Sequence, residues 1–175
     1  LTVNLKNDVV LGLDVSTSTI GFSFFNSTGK LLSVGYIELS KIKTPYKKAV
    51  EFKKFISKEC DNFKLISVLI EAPLLRFSKF SSANTLNKLA AFNGVVSYIM
   101  FSLTGLEPQH VHATTARSRV CGRLAKKNVK EQVFKYVRQS EGNISWPLNT
   151  KAAFKKQCYD MADAYIIGKF YFANK

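Results

Sequence analysis

The stretch Leu11-Gly12-Leu13-Asp14-Val15-Ser16-Thr17-Ser18-Thr19-Ile20-Gly21-Phe22-Ser23-Phe24-Phe25 runs from aliphatic residues into a lone carboxylate, crosses small hydroxyl residues and returns to an aromatic segment. Two apolar, partly β-branched segments joined by a short polar turn read as a pair of strands. Asp14 breaks the pattern. A carboxylate ending an apolar strand costs free energy unless a cation or hydrogen-bond donors meet it, so the rest of the chain has to supply its partner.

Outward from this stretch, residues 9–15 and 20–26 are the first two strands, Ser27-Thr28-Gly29-Lys30 is a second turn and residues 31–39 are a third strand, which makes an antiparallel meander. Over 45–62, Tyr46, Val50, Phe52, Phe55 and Ile56 fall at helical spacing among five lysines, an amphipathic helix with a basic outer face. Residues 65–70 are a short aliphatic run ending in Glu71, the mark of a central strand covered on both sides. A helix is expected over 81–103, with Gly94 inside it marking a close helix contact, then a strand over 108–112 and helices over 126–138 and 157–172. Strands that first succeed one another and then alternate with helices predict an α/β mixed sheet flanked by helices.

The 175 residues suit a single domain, 1–175, able to bury roughly 70% of the surface its unfolded form exposes. Lysine and arginine number 26 against 12 acids, a net charge of +14 that favours a polyanionic partner such as nucleic acid. Apolar runs too short to span a bilayer, and an N-terminus without signal-peptide layout, predict a soluble intracellular protein with no membrane partner. Cys60, Cys121 and Cys158 are odd in number and widely spaced, which fits free thiols in a reducing compartment rather than a zinc site.

In so basic a chain the acids that stay close to apolar segments stand out. Asp14 and Glu71 each end a strand, so neighbouring strands would bring both to the same end of one sheet. Asp160 and Asp163, three residues apart, share one face of a helix. Two carboxylates about 4 Å apart repel by roughly 4 kcal/mol at an effective dielectric near 20. Such a cluster calls for a counter-charge, and hard divalent cations, magnesium or manganese, take oxygen ligands of this kind. Ser16, Thr17 and Ser18 would leave room for a phosphate backbone to approach Asp14.

Leu11-Gly12-Leu13-Asp14 with Ser16-Thr17 and Gly21, then Leu69-Ile70-Glu71, then Asp160-Met161-Ala162-Asp163-Ala164, resembles the RuvC family of Holliday-junction resolvases within the ribonuclease H-like superfamily, over nearly the whole chain. The resemblance implies a five-stranded mixed sheet of order 32145. It implies that Asp14, Glu71, Asp160 and Asp163 are catalytic and hold two Mg2+ ions per active site, with Mn2+ able to substitute. It also implies a homodimer that nicks a four-way DNA junction symmetrically, leaving 5′-phosphate and 3′-hydroxyl ends, with the helix over 81–103 near the dimer interface. The expected setting is cytoplasmic, bacterial or that of a phage's host, with an organelle or another virus as the open alternatives.

The segment 114–138 is strongly basic and is expected to contact DNA through Arg117, Arg119, Arg123, Lys126, Lys127 and Lys130. The resemblance places Arg117 and either Lys126 or Lys127 nearest the cleavage site. In 74–82, Arg76, Phe77, Lys79 and Phe80 interleave cation and ring, a loop whose aromatic side chains could stack on an unpaired base. Two departures from the family stand here: Val15-Ser16 replaces the usual Pro-Gly, and the junction-probing aromatic would fall at Leu74. Three other readings remain open at this point: a ribonuclease H-like or YqgF-like nuclease for RNA or other branched DNA, a non-catalytic junction-binding module, and an actin-like ATPase. The last needs two such domains, for which the chain is too short.

Overall fold

The computed structural model describes residues 7–73 and 82–173. In chain order the elements are β1 (Asn7–Val15), β2 (Thr19–Asn26), β3 (Leu31–Glu38), α1 (Pro45–Cys60), β4 (Phe63–Glu71), α2 (Ala83–Thr104), β5 (Gln109–Val111), α3 (Ala113–Cys121), α4 (Val129–Ser140) and α5 (Gln157–Ala173). They build a five-stranded sheet of order β3-β2-β1-β4-β5. The meander is antiparallel, while β1 with β4 and β4 with β5 are parallel, so the expected mixed sheet is the one formed.

Period-two alternation divides the sheet's two faces. Val9, Leu11 and Leu13 of β1, Ile20, Phe22 and Phe24 of β2, and Val68 and Ile70 of β4 join Phe52, Ile56, Phe92 and Val96 of α1 and α2 in one core. Val10, Phe25 and Leu69 point the other way, into a second core with α3, α4 and α5. Asp14 is four residues past Val10 and Glu71 two past Leu69, so both carboxylates belong to the second face. The register Leu13↔Ile70 then sets them side by side at one end of the sheet.

Alpha-helix α5 lies unusually close to this face because small residues oppose it. A Cβ at Gly12 would sit 2.7 Å from the Ala164 carbonyl oxygen and overlap the Gly168 backbone, and one at Gly21 would overlap the Asp160 carbonyl. Ser23 uses the proximity to donate a hydrogen bond to the Ala164 carbonyl at 2.8 Å. Met161 through Gly168 are buried, Asp163 among them.

Three expectations are corrected here. The basic segment after residue 112 contains the helix α3, which buries only Ala116 and so has no apolar stripe to reveal it. The helix expected from 126 begins at Val129, after Asn128 in the left-handed conformation at φ 54°. Gly94 makes no close helix contact, since a Cβ there would meet nothing within 4 Å. Among the described residues no helix is long and apolar enough to cross a membrane.

Candidate active site

The β1–β2 turn that presents Asp14 is built by its own hydroxyls. Ser16 Oγ donates to the Thr19 carbonyl at 2.8 Å and accepts from the Thr19 amide at 3.0 Å, so this serine is occupied in closing the turn. Asp14 and Glu71 are half-buried, Asp160 is half-buried and Asp163 is 4% exposed. All four belong to one electrostatic group. Burial, then the charges of Glu71, Asp163 and Asp160, hold the Asp14 carboxyl well above the usual range, while Lys130 opposes them. Glu71 is raised by burial and then by Asp163, and is eased by Arg117, Lys130 and a hydrogen bond with Asp14. Asp160 is raised by burial, with Lys130 pulling the other way before Asp163 adds to the rise.

Protein cations meet this charge. Arg117 donates to Asp163 Oδ1 from Nη2 at 2.7 Å and from Nε at 3.2 Å, and Lys130 Nζ stands 3.6 Å from Asp163 Oδ2. The described residues contain no group of three or more Asp, Glu, His or Cys side chains already arranged around one ion position. The donor set is nonetheless oxygen-only and mutually repelling, which is the chemistry a hard divalent cation neutralises. A groove of about 390 Å³ lies beside Asp160, lined by Ser16, Thr19, Glu38, Lys130 and Lys156 among others.

Glu71 is fixed from behind by residues that carried no signal in the sequence. Asn93, 2% exposed on α2, donates from Nδ2 to the Glu71 carbonyl at 2.9 Å. Its Oδ1 lies 3.1 Å from His110 Nε2, which also lies 3.1 Å from Ser97 Oγ. A polar residue directly after Phe92 in an apolar helix could have marked Asn93, but nothing in its spacing points to Glu71.

The basic residues separate into two groups. Arg117 and Lys130 reach Asp163, Lys130 with its side chain still 57% exposed, whereas Arg119, Arg123, Lys126 and Lys127 are exposed to solvent. Lys126 and Lys127 lie in the α3–α4 connection, which Gln132 fastens by accepting from the Ala125 amide at 2.9 Å and donating to the Ala125 and Lys127 carbonyls at 3.1 and 2.6 Å. Neither lysine starts α4. Lys130, in its first turn, is the one beside the carboxylates. Arg138 instead stacks over Phe154 at 4.6 Å from the ring centre. Arg76, Phe77, Lys79, Phe80 and Leu74 lie outside the described residues. Cys60, Cys121 and Cys158 are free thiols, and burial pushes Cys60 and Cys121 up to about 11, which makes them poor nucleophiles at neutral pH.

No family model matches the chain, and no curated protein sequence matches it. Solved structures do. RuvC of Thermus thermophilus superposes with a TM-score of 0.66 at 18% identity, covering 94% of this chain and 93% of that one. The same organism's RuvC in complex with a Holliday junction substrate gives 0.67 at 16%, covering 94% and 92%. The yeast mitochondrial Holliday junction resolvase gives 0.58 at 16%, covering 94% of this chain and 77% of that one. The sheet order, the flanking helices and these superpositions together establish that the chain has the ribonuclease H-like fold in its RuvC form.

Proposed function

We propose that the protein is a divalent-metal-dependent endonuclease that resolves four-way DNA junctions. The observation that carries this reading is the convergence of Asp14, Glu71, Asp160 and Asp163, from three separate elements, at one sheet end of a chain with net charge +14. A fold shared with junction resolvases supports the choice of substrate.

On this reading the four carboxylates hold two Mg2+ ions, or Mn2+ in their place. When bound, such ions supply a water of lowered pKa and neutralise charge on the phosphate and the leaving oxygen. The chain's own residues do the positioning. Asn93 keeps the end of β4 in place so that Glu71 is aimed at the site, and Gly12, Gly21 and Gly168 keep Asp160 and Asp163 close to Asp14. Lys130 and Lys156 attract the scissile strand into the groove, and Arg117 is available to a phosphate once Asp163 is otherwise neutralised. The outer cations Arg119, Arg123, Lys126 and Lys127 contact duplex arms further out. A homodimer would place two such sites on opposing strands and produce paired nicks.

The test is cleavage of an immobile-core four-way junction beside matched duplex, flap and RNA–DNA hybrid substrates, with magnesium, with manganese and with chelator. Paired symmetric nicks in the junction alone, lost with chelator, are expected. Cutting of hybrid or flap instead would move the activity to another nuclease of this fold, and binding without cutting would make the chain an architectural module. Binding should also be salt-dependent: for six to ten phosphates covered, affinity falls on the order of 10³ to 10⁵ between about 50 and 200 mM salt.

A further inference from the structure

On the sheet face opposite α5, a cavity of about 460 Å³ opens between the first turn of α1 and the N-terminal half of α2. Phe92 and Val95 of α2 supply apolar wall, and Tyr46, 81% exposed, stands at its mouth. Lys43, Lys48 and Lys88 form the rim, and no acidic side chain is among the described residues that line it. The cavity is joined to the candidate active site through one contact. Lys48 donates from Nζ to the carbonyl of Thr17, in the β1–β2 turn, and Thr17 itself borders the cavity. Thr17 is three positions after Asp14, so the turn that presents the carboxylate is also the partition between the two sites, about 10 Å of chain at most.

The chemistry of this lining selects its ligand. A volume of this size suits a small planar group. An exposed tyrosine ring beside apolar wall favours stacking on an aromatic face, and a rim of three lysines without a carboxylate, of which Lys48 also donates to the Thr17 carbonyl, favours an anion attached to that face. A nucleotide has both parts. A second copy of the chain fits less well, because it would bring the same lysine-rich rim against another surface of a strongly basic protein. We infer that the cavity receives one unpaired nucleotide of the DNA substrate, its base against Tyr46 and its phosphate among Lys43, Lys48 and Lys88. The inference rests on the branched-DNA nuclease reading for the source of that nucleotide. It gives the protein a strand-separating hold on the far side of the β1–β2 turn from the carboxylates.

The experiment does not require cutting. Fluorescence anisotropy in chelator would compare a short single-stranded oligothymidine with a duplex of equal length, for the wild type and for Tyr46→Ala, Tyr46→Phe and Lys88→Ala, each checked for an unchanged melting temperature. Tyr46→Ala and Lys88→Ala should each lose about tenfold in single-strand affinity, with Tyr46→Phe unchanged because the ring remains, and with duplex affinity altered less than about twofold. Equal single-strand binding by all four proteins would overturn the inference, as would equal losses for single strand and duplex, which would reduce the rim to general surface charge. Sedimentation velocity provides the third outcome: a shift in oligomeric state by Tyr46→Ala with oligothymidine affinity intact would give the cavity to a second copy and refute the nucleotide assignment. Failure of junction cleavage with these losses observed would remove the nuclease reading and leave the nucleotide site standing.

Discussion

Arg117 and Asp163 form a two-pronged ion pair, Nη2 at 2.7 Å and Nε at 3.2 Å from the same carboxylate oxygen. Lys130 covers the other oxygen from 3.6 Å. Asp163 is 4% exposed, so the pair is largely dehydrated, and Arg117 is the cation that makes a buried carboxylate tolerable there. The same guanidinium also eases Glu71. One arginine from α3 therefore balances acids contributed by a strand and by a second helix.

Arg117→Ala should accordingly destabilise the metal-free protein by about 3 kcal/mol, the lower end of the range for breaking a buried pair, because Lys130 remains. On the proposed reading, saturating manganese should raise the melting temperature of Arg117→Ala more than that of the wild type, since the ion replaces the missing charge. Urea unfolding with chelator and with manganese measures both. An unchanged midpoint in chelator would show that the pair contributes little.

Asp14→Asn should stabilise the metal-free fold and abolish cleavage while leaving DNA binding largely intact. The carboxyls of Asp14, Glu71 and Asp160 all titrate above their ordinary values, burial being the largest cause for each. An unfolded carboxyl titrates near pH 4, so between that pH and the raised value the native state binds more protons than the unfolded one. The contribution to stability is full below about pH 4 and is lost as pH rises through the raised values. The variant lacks the most strongly raised of the three, and its advantage over the wild type in urea, measured in chelator, should therefore grow from pH 5 to pH 7. An advantage independent of pH would contradict the raised Asp14.

Asn93→Ala removes the donor to the Glu71 carbonyl and leaves His110 without its Asn93 partner. A loss of about 1–3 kcal/mol in stability is expected for unsatisfied buried groups. The cleavage rate should fall while junction affinity in chelator stays unchanged, because Asn93 touches the strand end and no part of the basic surface. A parallel fall in affinity would place Asn93 in the DNA interface instead.

Gly21→Ala and Gly94→Ala should have opposite signs. At Gly21 the new Cβ overlaps the Asp160 carbonyl, so α5 must move away from the sheet and take Asp160 and Asp163 with it, at a cost of about 3 kcal/mol or more. At Gly94 the Cβ enters open space in mid-helix, where alanine is better than glycine by about 1 kcal/mol. Thermal denaturation of the two variants decides this, and a stable Gly21→Ala would mean that α5 is not seated as described.

The sequence by itself determined the antiparallel meander, the central strand ending in Glu71 and the helix carrying Asp160 and Asp163, because period-two and helical spacing are local properties that survive in a single chain. It also singled out the four acids, since carboxylates flanked by apolar residues are conspicuous wherever they fall. It could not show α3, nine residues burying only Ala116 fully, because a helix seated through one alanine, the partly buried Val120 and Cys121 and an ion pair has no regular apolar stripe to read. Nor could it separate Arg117 and the half-exposed Lys130, which reach Asp163, from the exposed Arg119, Lys126 and Lys127, because all are cations in one basic run. That choice belongs to the tertiary structure. The parallel register of β1 with β4 and the glycine-lined seat of α5 bring residues more than a hundred positions apart to one point, and only there does a buried carboxylate select which cation must answer it.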